Sequence, residues 1–206
     1  MKLYLHPMSS NARRAHMAAV ALGLKPELVT IDLAKGEQKK PEYLALNPNG
    51  KVPTLVDGDV VVWESMAIMT YLADKTPGQT LYPADPTSRT HVTQWLFWTS
   101  NHWSPAIGTL TYENFLKKMF GQGDGNEYAV SRGMANVKEY ATTLDGHLAK
   151  NKFVAGDRSS LADIAVVAPL MYIGPAKLPV EGFANIARWL GEMKQTEAWK
   201  QTEPTV

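Results

Sequence analysis

The sequence predicts two domains of different class, a small α/β domain followed by a domain built only of helices. Strand patterns occur only before residue 76, and beyond Arg89 apolar residues recur at helical spacing alone. Between the two regions, prolines and glycines interrupt the chain at residues 77–78 and 83–86. We therefore expect domains at residues 1–76 and 89–206, joined by a linker over residues 77–88.

The first domain has the element order β-α-β-(α)-β-β-α. Its first helix carries apolar residues on one face and ends at Gly23, and Asp57-Gly58 is a typical hairpin turn between two strands. This order predicts a four-stranded mixed sheet of thioredoxin-like shape. The predicted elements are strands at Lys2–Leu5, Leu28–Leu33, Thr54–Val56 and Val60–Trp63, and helices at Ala12–Leu22, Pro41–Leu46 and Ser65–Ala73.

The second domain is predicted to be all helical. A long helix covers about Thr90–Phe120, with a bend expected at Ser104-Pro105 because proline disrupts the helical hydrogen bonds. Further helices are expected at Asn126–Lys150, Leu161–Tyr172 and Phe183–Lys194. Ser160 and Asp163 have the spacing of a capping box before the most apolar of these helices.

Composition excludes several classes of function. The net charge of +1 gives no general attraction to nucleic acid or an anionic membrane. Without a signal sequence or an apolar run of membrane-spanning length, the expectation is a soluble cytoplasmic protein. The chain has no cysteine, so a reactive thiol must arrive with a ligand. Neither a metal-ligand cluster nor a phosphate-binding glycine loop occurs in the sequence.

Val52-Pro53 and Glu64-Ser65 are the most informative positions in the chain. A proline entering a strand removes a donor from the sheet, which leaves the backbone of Val52 able to pair with an extended ligand. Ser65 at a helix start favours a carboxylate, and Glu64 can accept an ammonium group. An edge proline and a helix cap would explain the same residues structurally. Together they suggest a cradle for a peptide-like ligand.

Ser9, Ser10 and Asn11 lie between the first strand and the first helix. Each can cap the helix. A serine hydroxyl there can also donate a hydrogen bond to a ligand thiolate, which is worth about 1.5–3 kcal/mol and would bring a thiol pKa of about 8.5 down to about 7.

Two further groups of side chains are candidates for ligand contact. Lys35, Gln38, Lys39 and Lys51 lie in loops near the cradle and can hold a second carboxylate, although surface exposure alone explains most of them. On the long helix, core packing explains part of an aromatic cluster. Trp98, His102 and Tyr112 are the members that could line a pocket for an apolar co-substrate.

This sequence resembles the cytosolic glutathione transferases in the segments Asn47–Leu55, Glu64–Ile68 and Ser160–Asp163. The resemblance extends over essentially the whole chain. The N-terminal motifs, His6–Ser9 with Arg13-Arg14, look like the phi class. The helical domain around His102 looks closer to the bacterial beta class.

The resemblance implies glutathione as a co-substrate, with no other cofactor and no metal. It implies that Val52, before a cis Pro53, pairs with the cysteinyl backbone, and that Glu64 and Ser65 hold the γ-glutamyl end. Candidates for the glycyl carboxylate are Gln38, Lys39 and Lys51. At the position of Gln38 the phi pattern has histidine. The catalytic hydroxyl falls on Ser9 by phi-like spacing and on Ser10 by a beta-like count.

We therefore expect a homodimeric glutathione transferase that detoxifies hydrophobic electrophiles. A serine hydroxyl would stabilise the glutathione thiolate for attack on the electrophile. The alternative is a non-catalytic protein of the same fold that binds glutathione or other ligands. The sequence leaves the electrophile open, together with peroxidase, isomerase and dehalogenase variants of the chemistry.

Overall fold

The computed structural model describes residues 1–204, which divide into two units. The first unit contains Met1–Tyr82 together with residues 195–204, and the second contains Pro83–Lys194. The predicted division into an α/β region and a helical region is therefore confirmed as a fold class, while the sequence placed the segment after Gln195 with the helices.

A four-stranded mixed sheet forms the centre of the first unit. Its order is β2-β1-β3-β4, with β1 parallel to β2 and antiparallel to β3, and β3 antiparallel to β4. The parallel pair is possible because α1 crosses between the two strands. The elements of this unit are β1 (Lys2–Leu5), α1 (Ser10–Ala21), β2 (Glu27–Thr30), a 3-10 turn (Glu37–Lys39), α2 (Pro41–Leu44), β3 (Thr54–Asp57), β4 (Val60–Trp63) and α3 (Ser65–Lys75).

The apolar face of this sheet packs against α1 and α3. Leu3, Leu5 and Leu55 of the sheet are buried with Ile68 and Leu72 of α3. The alanines that the sequence placed on one face of α1 are buried in the same core, and their small size lets the helix approach the sheet closely.

The second strand ends at Thr30, earlier than predicted: the Ile31 N–H still donates to the Leu5 carbonyl, and the chain then turns over residues 33–36. The side chain of Asp32 accepts a hydrogen bond from the Lys35 N–H, and Glu37 accepts one from the Asp32 N–H. These local side-chain bonds replace the sheet bonds that a strand over Leu28–Leu33 would make.

A short helix that the sequence did not predict, α10 (Glu197–Lys200), packs on α1 in the first unit. The Arg13 guanidinium stacks on the Trp199 ring at 3.9 Å and donates to the Trp199 carbonyl and the Thr202 hydroxyl. These contacts explain why the end of the described chain groups with the N-terminal unit.

The second unit begins with the predicted long helix, which departs twice from α-helical geometry. Two five-residue π-helical segments, Thr99–Trp103 and Tyr112–Leu116, interrupt it. The first ends one residue before Ser104-Pro105, so the predicted irregularity lies where the missing proline N–H requires it. The α-helical parts are α4 (Pro86–Trp98), α5 (Ser104–Thr111) and α6 (Lys117–Met119).

The remaining helices of this unit are α7 (Glu127–Leu148), α8 (Leu161–Val167) and α9 (Ala184–Gln195). Beyond Val167 the chain continues as a 3-10 turn, Ala168–Tyr172, because Pro169 cannot donate the next helical bond. Every residue of α8 is buried, as its apolar sequence predicts. Within residues 1–204, no helix is both long and apolar enough to cross a membrane.

Candidate active site

The polar residues that the sequence singled out lie along one edge of the sheet, where β1 and β4 end and β3 begins. Tyr4 of β1 pairs with Thr54 of β3, and Thr54 pairs with Trp63 of β4. The chain leaves β1 toward Ser9, enters β3 from Val52, and leaves β4 into Glu64, so all three arrive at the same edge.

Val52 lies outside the paired strands, as the sequence predicts. The Val52-Pro53 peptide bond is cis, and the register of β3 begins only at Thr54. Within residues 1–204, the main-chain N–H and C=O of Val52 form no hydrogen bond to the protein. Both groups are therefore able to pair with a ligand backbone.

Two buried side chains hold this loop from behind. The Tyr43 hydroxyl and the Asn47 amide each donate to the Lys51 carbonyl at 2.7 Å, and both also reach the Thr54 hydroxyl. Asn47 in turn accepts from the Asn49 N–H. Lys51 is thus held by side-chain hydrogen bonds outside the sheet, and Thr54 is held both by these bonds and by the sheet.

Glu64 and Ser65 join β4 to α3. Glu64 has a φ of 72°, in a region that residues other than glycine rarely adopt, and its side chain is exposed. Ser65 is the first residue of α3, and its hydroxyl accepts a hydrogen bond from Arg14 at 3.4 Å. A carboxylate and a helix N-terminus therefore stand side by side, a pairing that suits an ammonium group and an anion.

Ser9 is the N-cap of α1. Its hydroxyl oxygen accepts from the Ala12 N–H at 3.2 Å, which leaves the single O–H of the side chain able to donate elsewhere. Ser10 is the first residue of the helix, and both serines are half-buried. Capping and ligand contact are therefore compatible at Ser9.

Of the four candidates for a second carboxylate, Lys35 pairs with Asp32 at 2.9 Å, and the other three lie in two segments that touch. A Cβ built on Gly50 would lie 2.7 Å from the Lys39 ammonium nitrogen and 2.8 Å from the Gln38 carbonyl. Lys39 also donates to the Asn49 carbonyl. Gln38 and Lys39 therefore lie against the residue that precedes Lys51.

Comparison with known proteins identifies the family of this chain. Residues 1–74 match the family model "Glutathione S-transferase, N-terminal domain", and residues 103–197 match the corresponding C-terminal domain. This chain belongs to the glutathione S-transferase family. The family uses glutathione as a co-substrate, and the predicted thioredoxin-like and helical domains are its architecture.

Individual relatives cover nearly the whole chain. Glutathione S-transferase F10 of Arabidopsis thaliana is 34% identical and covers 95% of this chain and 93% of its own length. Glutathione S-transferase D7 of Drosophila melanogaster is 33% identical, and the match covers 98% of this chain and 88% of the relative. Among solved structures, glutathione S-transferase-I bound with lactoylglutathione superimposes with a TM-score of 0.88 at 28% identity, covering 98% and 97%.

In the helical unit of this transferase, Trp98 and His102 contact a common partner. Both rings pack on Tyr140 of α7, at centroid distances of 6.1 and 5.5 Å, and Trp98 also stacks on Trp103. Tyr112 lies in the second π-helical segment and donates to Gln122 at 2.8 Å. The structure therefore brings Trp98 and His102 together, and Tyr112 has a separate partner.

A surface groove of about 710 Å³ in the same unit is lined by other residues. It runs between α7 and the chain around Lys177, and the three predicted pocket residues do not line it.

Sequence reasoning missed the residues that support the site from behind. Tyr43 and Asn47 were visible as an aromatic and an asparagine next to the Val52 loop, but neither type requires burial. Arg14 was noticed only as part of a motif. Among residues 1–204 there is no group of three histidines or acids that could hold a metal ion.

Proposed function

We propose that the first unit binds glutathione in the cradle formed by Val52, Glu64 and Ser65, and that Ser9 stabilises its thiolate for attack on a hydrophobic electrophile. The observation that carries this proposal is the common sheet edge, where the unpaired Val52 backbone lies with the Ser9 hydroxyl. The lactoylglutathione bound to a related transferase supports the choice of ligand.

Each part of glutathione has a matching group. The cysteinyl backbone pairs with Val52 as an added strand would. The γ-glutamyl ammonium meets Glu64, and its carboxylate meets Ser65. At the other end of the tripeptide, the glycyl carboxylate is held by Lys39, with Gln38 and Lys51 as further candidates.

The protein then acts on the thiol by hydrogen bonding and position. The Ser9 O–H donates to the sulfur, and the N-terminus of α1 adds a favourable field for its negative charge. The thiol proton leaves to solvent. The sulfur lone pair forms a bond to the electrophilic carbon, and with an aryl halide the halide departs with its bonding electrons.

A Ser9→Ala substitution tests this role. A hydrogen bond to a charged group is worth about 1.5–3 kcal/mol, so the bound thiol pKa should rise and kcat/KM at neutral pH should fall about 10- to 100-fold. Thiolate absorbance of the glutathione complex measures the pKa, and turnover of a generic aryl halide measures the rate.

Ser10→Ala is the matched control, one residue along the same helix. Because Ser9 caps α1 and Ser10 lies inside it, we expect Ser10→Ala to change little. A loss in Ser10→Ala alone would transfer the role to Ser10. Unchanged pKa and rate in both variants would refute serine activation. Retention of the wild type on immobilised glutathione without turnover would favour the non-catalytic binding protein.

The electrophile surface is proposed on the helical unit around Trp98 and His102, with Tyr112 as a further member. Trp98 and His102 both contact Tyr140, and His102 is exposed, so a flat apolar co-substrate can lie against these two residues. His102→Ala should raise KM for the aryl halide and leave KM for glutathione unchanged. An unchanged KM for both would remove His102 from this role.

A homodimer is the second part of the proposal. β4 is one of the two edge strands of the sheet, and Val60, Val61 and Trp63 on it are each more than 40% exposed. An apolar strand left open at an edge is an association surface. Light scattering should give twice the chain mass, and Val61→Lys should give the monomer. A monomeric wild type would refute the proposed homodimer.

We place the reaction in the cytoplasm, where glutathione is kept as the thiol.

A further inference from the structure

Arg14 is a charged side chain enclosed in the first unit. It lies on α1 with 2% of its surface exposed, and its Nη1 donates to the Ser65 hydroxyl at 3.4 Å. Burial lowers its pKa to about 10, and at neutral pH the charged form still exceeds the neutral one about a thousandfold. A full positive charge therefore lies directly behind Ser65.

The contact with Arg14 determines what the Ser65 hydroxyl can do. A hydroxyl has one hydrogen to donate and two lone pairs that accept. Because a lone pair of Ser65 faces the Arg14 donor, its hydrogen points away from Arg14. Ser65 also begins α3, where unpaired N–H groups favour an anion. The hydroxyl is thus oriented to donate to a carboxylate.

The surroundings of this pair separate positive from negative ligand groups. The exposed carboxylate of Glu64 precedes Ser65 in the chain, at a residue with a positive φ of 72°. A ligand carboxylate at Ser65 would be attracted by the positive charge of Arg14, which lies behind the hydroxyl.

We propose that Arg14 is a positioning and specificity residue for the α-carboxylate of the γ-glutamyl group, acting through the Ser65 hydroxyl. This inference rests on the proposed binding of glutathione. Arg14 orients the hydroxyl and adds its positive charge behind it, so the site distinguishes a γ-glutamyl peptide from a peptide of the same length that lacks the α-carboxylate.

Two ligands and one substitution test the proposal. Glutathione is compared with 4-aminobutyryl-cysteinylglycine, which keeps the amine, thiol and glycyl end but lacks the α-carboxylate. The wild type should prefer glutathione. Arg14→Met should weaken glutathione binding about 10- to 100-fold, the value of a hydrogen bond to a charged group, and leave the binding of the analogue unchanged. Titration calorimetry gives both dissociation constants.

Arg13→Met is the matched control. Arg13 is the neighbouring buried arginine on the same helix, but its guanidinium stacks on Trp199 instead of facing Ser65. Its loss should lower the midpoint of thermal unfolding and keep the ratio of the two dissociation constants.

Further variants keep the test decisive if Arg14→Met does not fold. Ser65→Ala should reduce the preference for glutathione about tenfold, and Arg14→Lys should retain most of that preference because its charge remains. Equal weakening of both ligands in Arg14→Met, or an unchanged ratio in Ser65→Ala, would overturn the proposal and leave glutathione binding intact. A wild type that binds neither ligand would overturn both the proposed function and this inference.

Discussion

Asp163 should be the most stability-sensitive residue of the helical unit. Its carboxylate is fully buried and accepts four hydrogen bonds. Oδ1 accepts from the Val154 N–H at 2.9 Å and the Trp189 indole N–H at 2.8 Å. Oδ2 accepts from the N–H and hydroxyl of Ser160. One side chain therefore joins the start of α8 to the loop before it and to α9.

The cost of Asp163→Ala follows from the donors left behind. Three buried N–H groups lose their acceptor, and each orphaned donor costs about 1–3 kcal/mol. With partial relaxation we expect a loss of about 4 kcal/mol in the free energy of unfolding, a large part of the about 5–15 kcal/mol available to a domain. Asp163→Asn keeps one carbonyl oxygen and should cost about 2 kcal/mol.

Urea unfolding followed by circular dichroism measures these losses, with Ser160→Ala as the control. That variant removes the cap hydroxyl and should cost about 1 kcal/mol. Burial also raises the pKa of Asp163, so keeping the charge enclosed opposes its hydrogen bonds. If the cost of burying the Asp163 charge cancelled the stabilisation from its hydrogen bonds, Asp163→Ala would lose no more stability than Ser160→Ala, and the reasoning would be refuted.

Two further predictions concern the first unit. Gly50→Ala should lose about 1–3 kcal/mol of stability and weaken glutathione binding, because the new methyl group meets the Gln38 backbone carbonyl as well as the Lys39 side chain. Gly58→Ala, with a similar positive φ and open space, should show the backbone cost alone, and equal losses would contradict the steric argument. Hydrogen bonding from Lys75 lowers the pKa of Asp57, so this carboxylate stabilises the fold above pH 3.8 and the stabilisation is lost as the pH falls through the lowered pKa. Asp57→Asn should therefore reduce the dependence of the free energy of unfolding on pH in the acid range, measured by urea titrations. An unchanged pH dependence would contradict this reasoning.

Much of the fold could be predicted because its signals are local. The strands at Lys2–Leu5 and Val60–Trp63 have the predicted bounds, and α3 begins at Ser65 as predicted. Pro105 marks an irregularity that its own missing N–H imposes, although the sequence does not show that the chain absorbs it as a π-helical segment. Periodicity and capping depend on near neighbours, and for that reason one chain is enough to detect them.

The site was predicted less completely, because its supports come from distant parts of the chain. Ser65 is recognisable as a helix start, but its partner Arg14 lies 51 residues earlier. Likewise, α10 is too short to have a clear pattern and depends on the stacking of Arg13 against Trp199.

The sequence by itself determined the class of each domain, and it predicted the positions of the proposed ligand cradle and the need for a thiol brought by the ligand. These follow from residue types, from short spacings and from the absence of cysteine. Only the tertiary structure decided that Ser9, Val52 and Glu64 share one sheet edge and that a buried guanidinium stands behind Ser65. The physical reason is that strand register and side-chain burial depend on contacts between residues far apart in the chain, which local propensity does not encode.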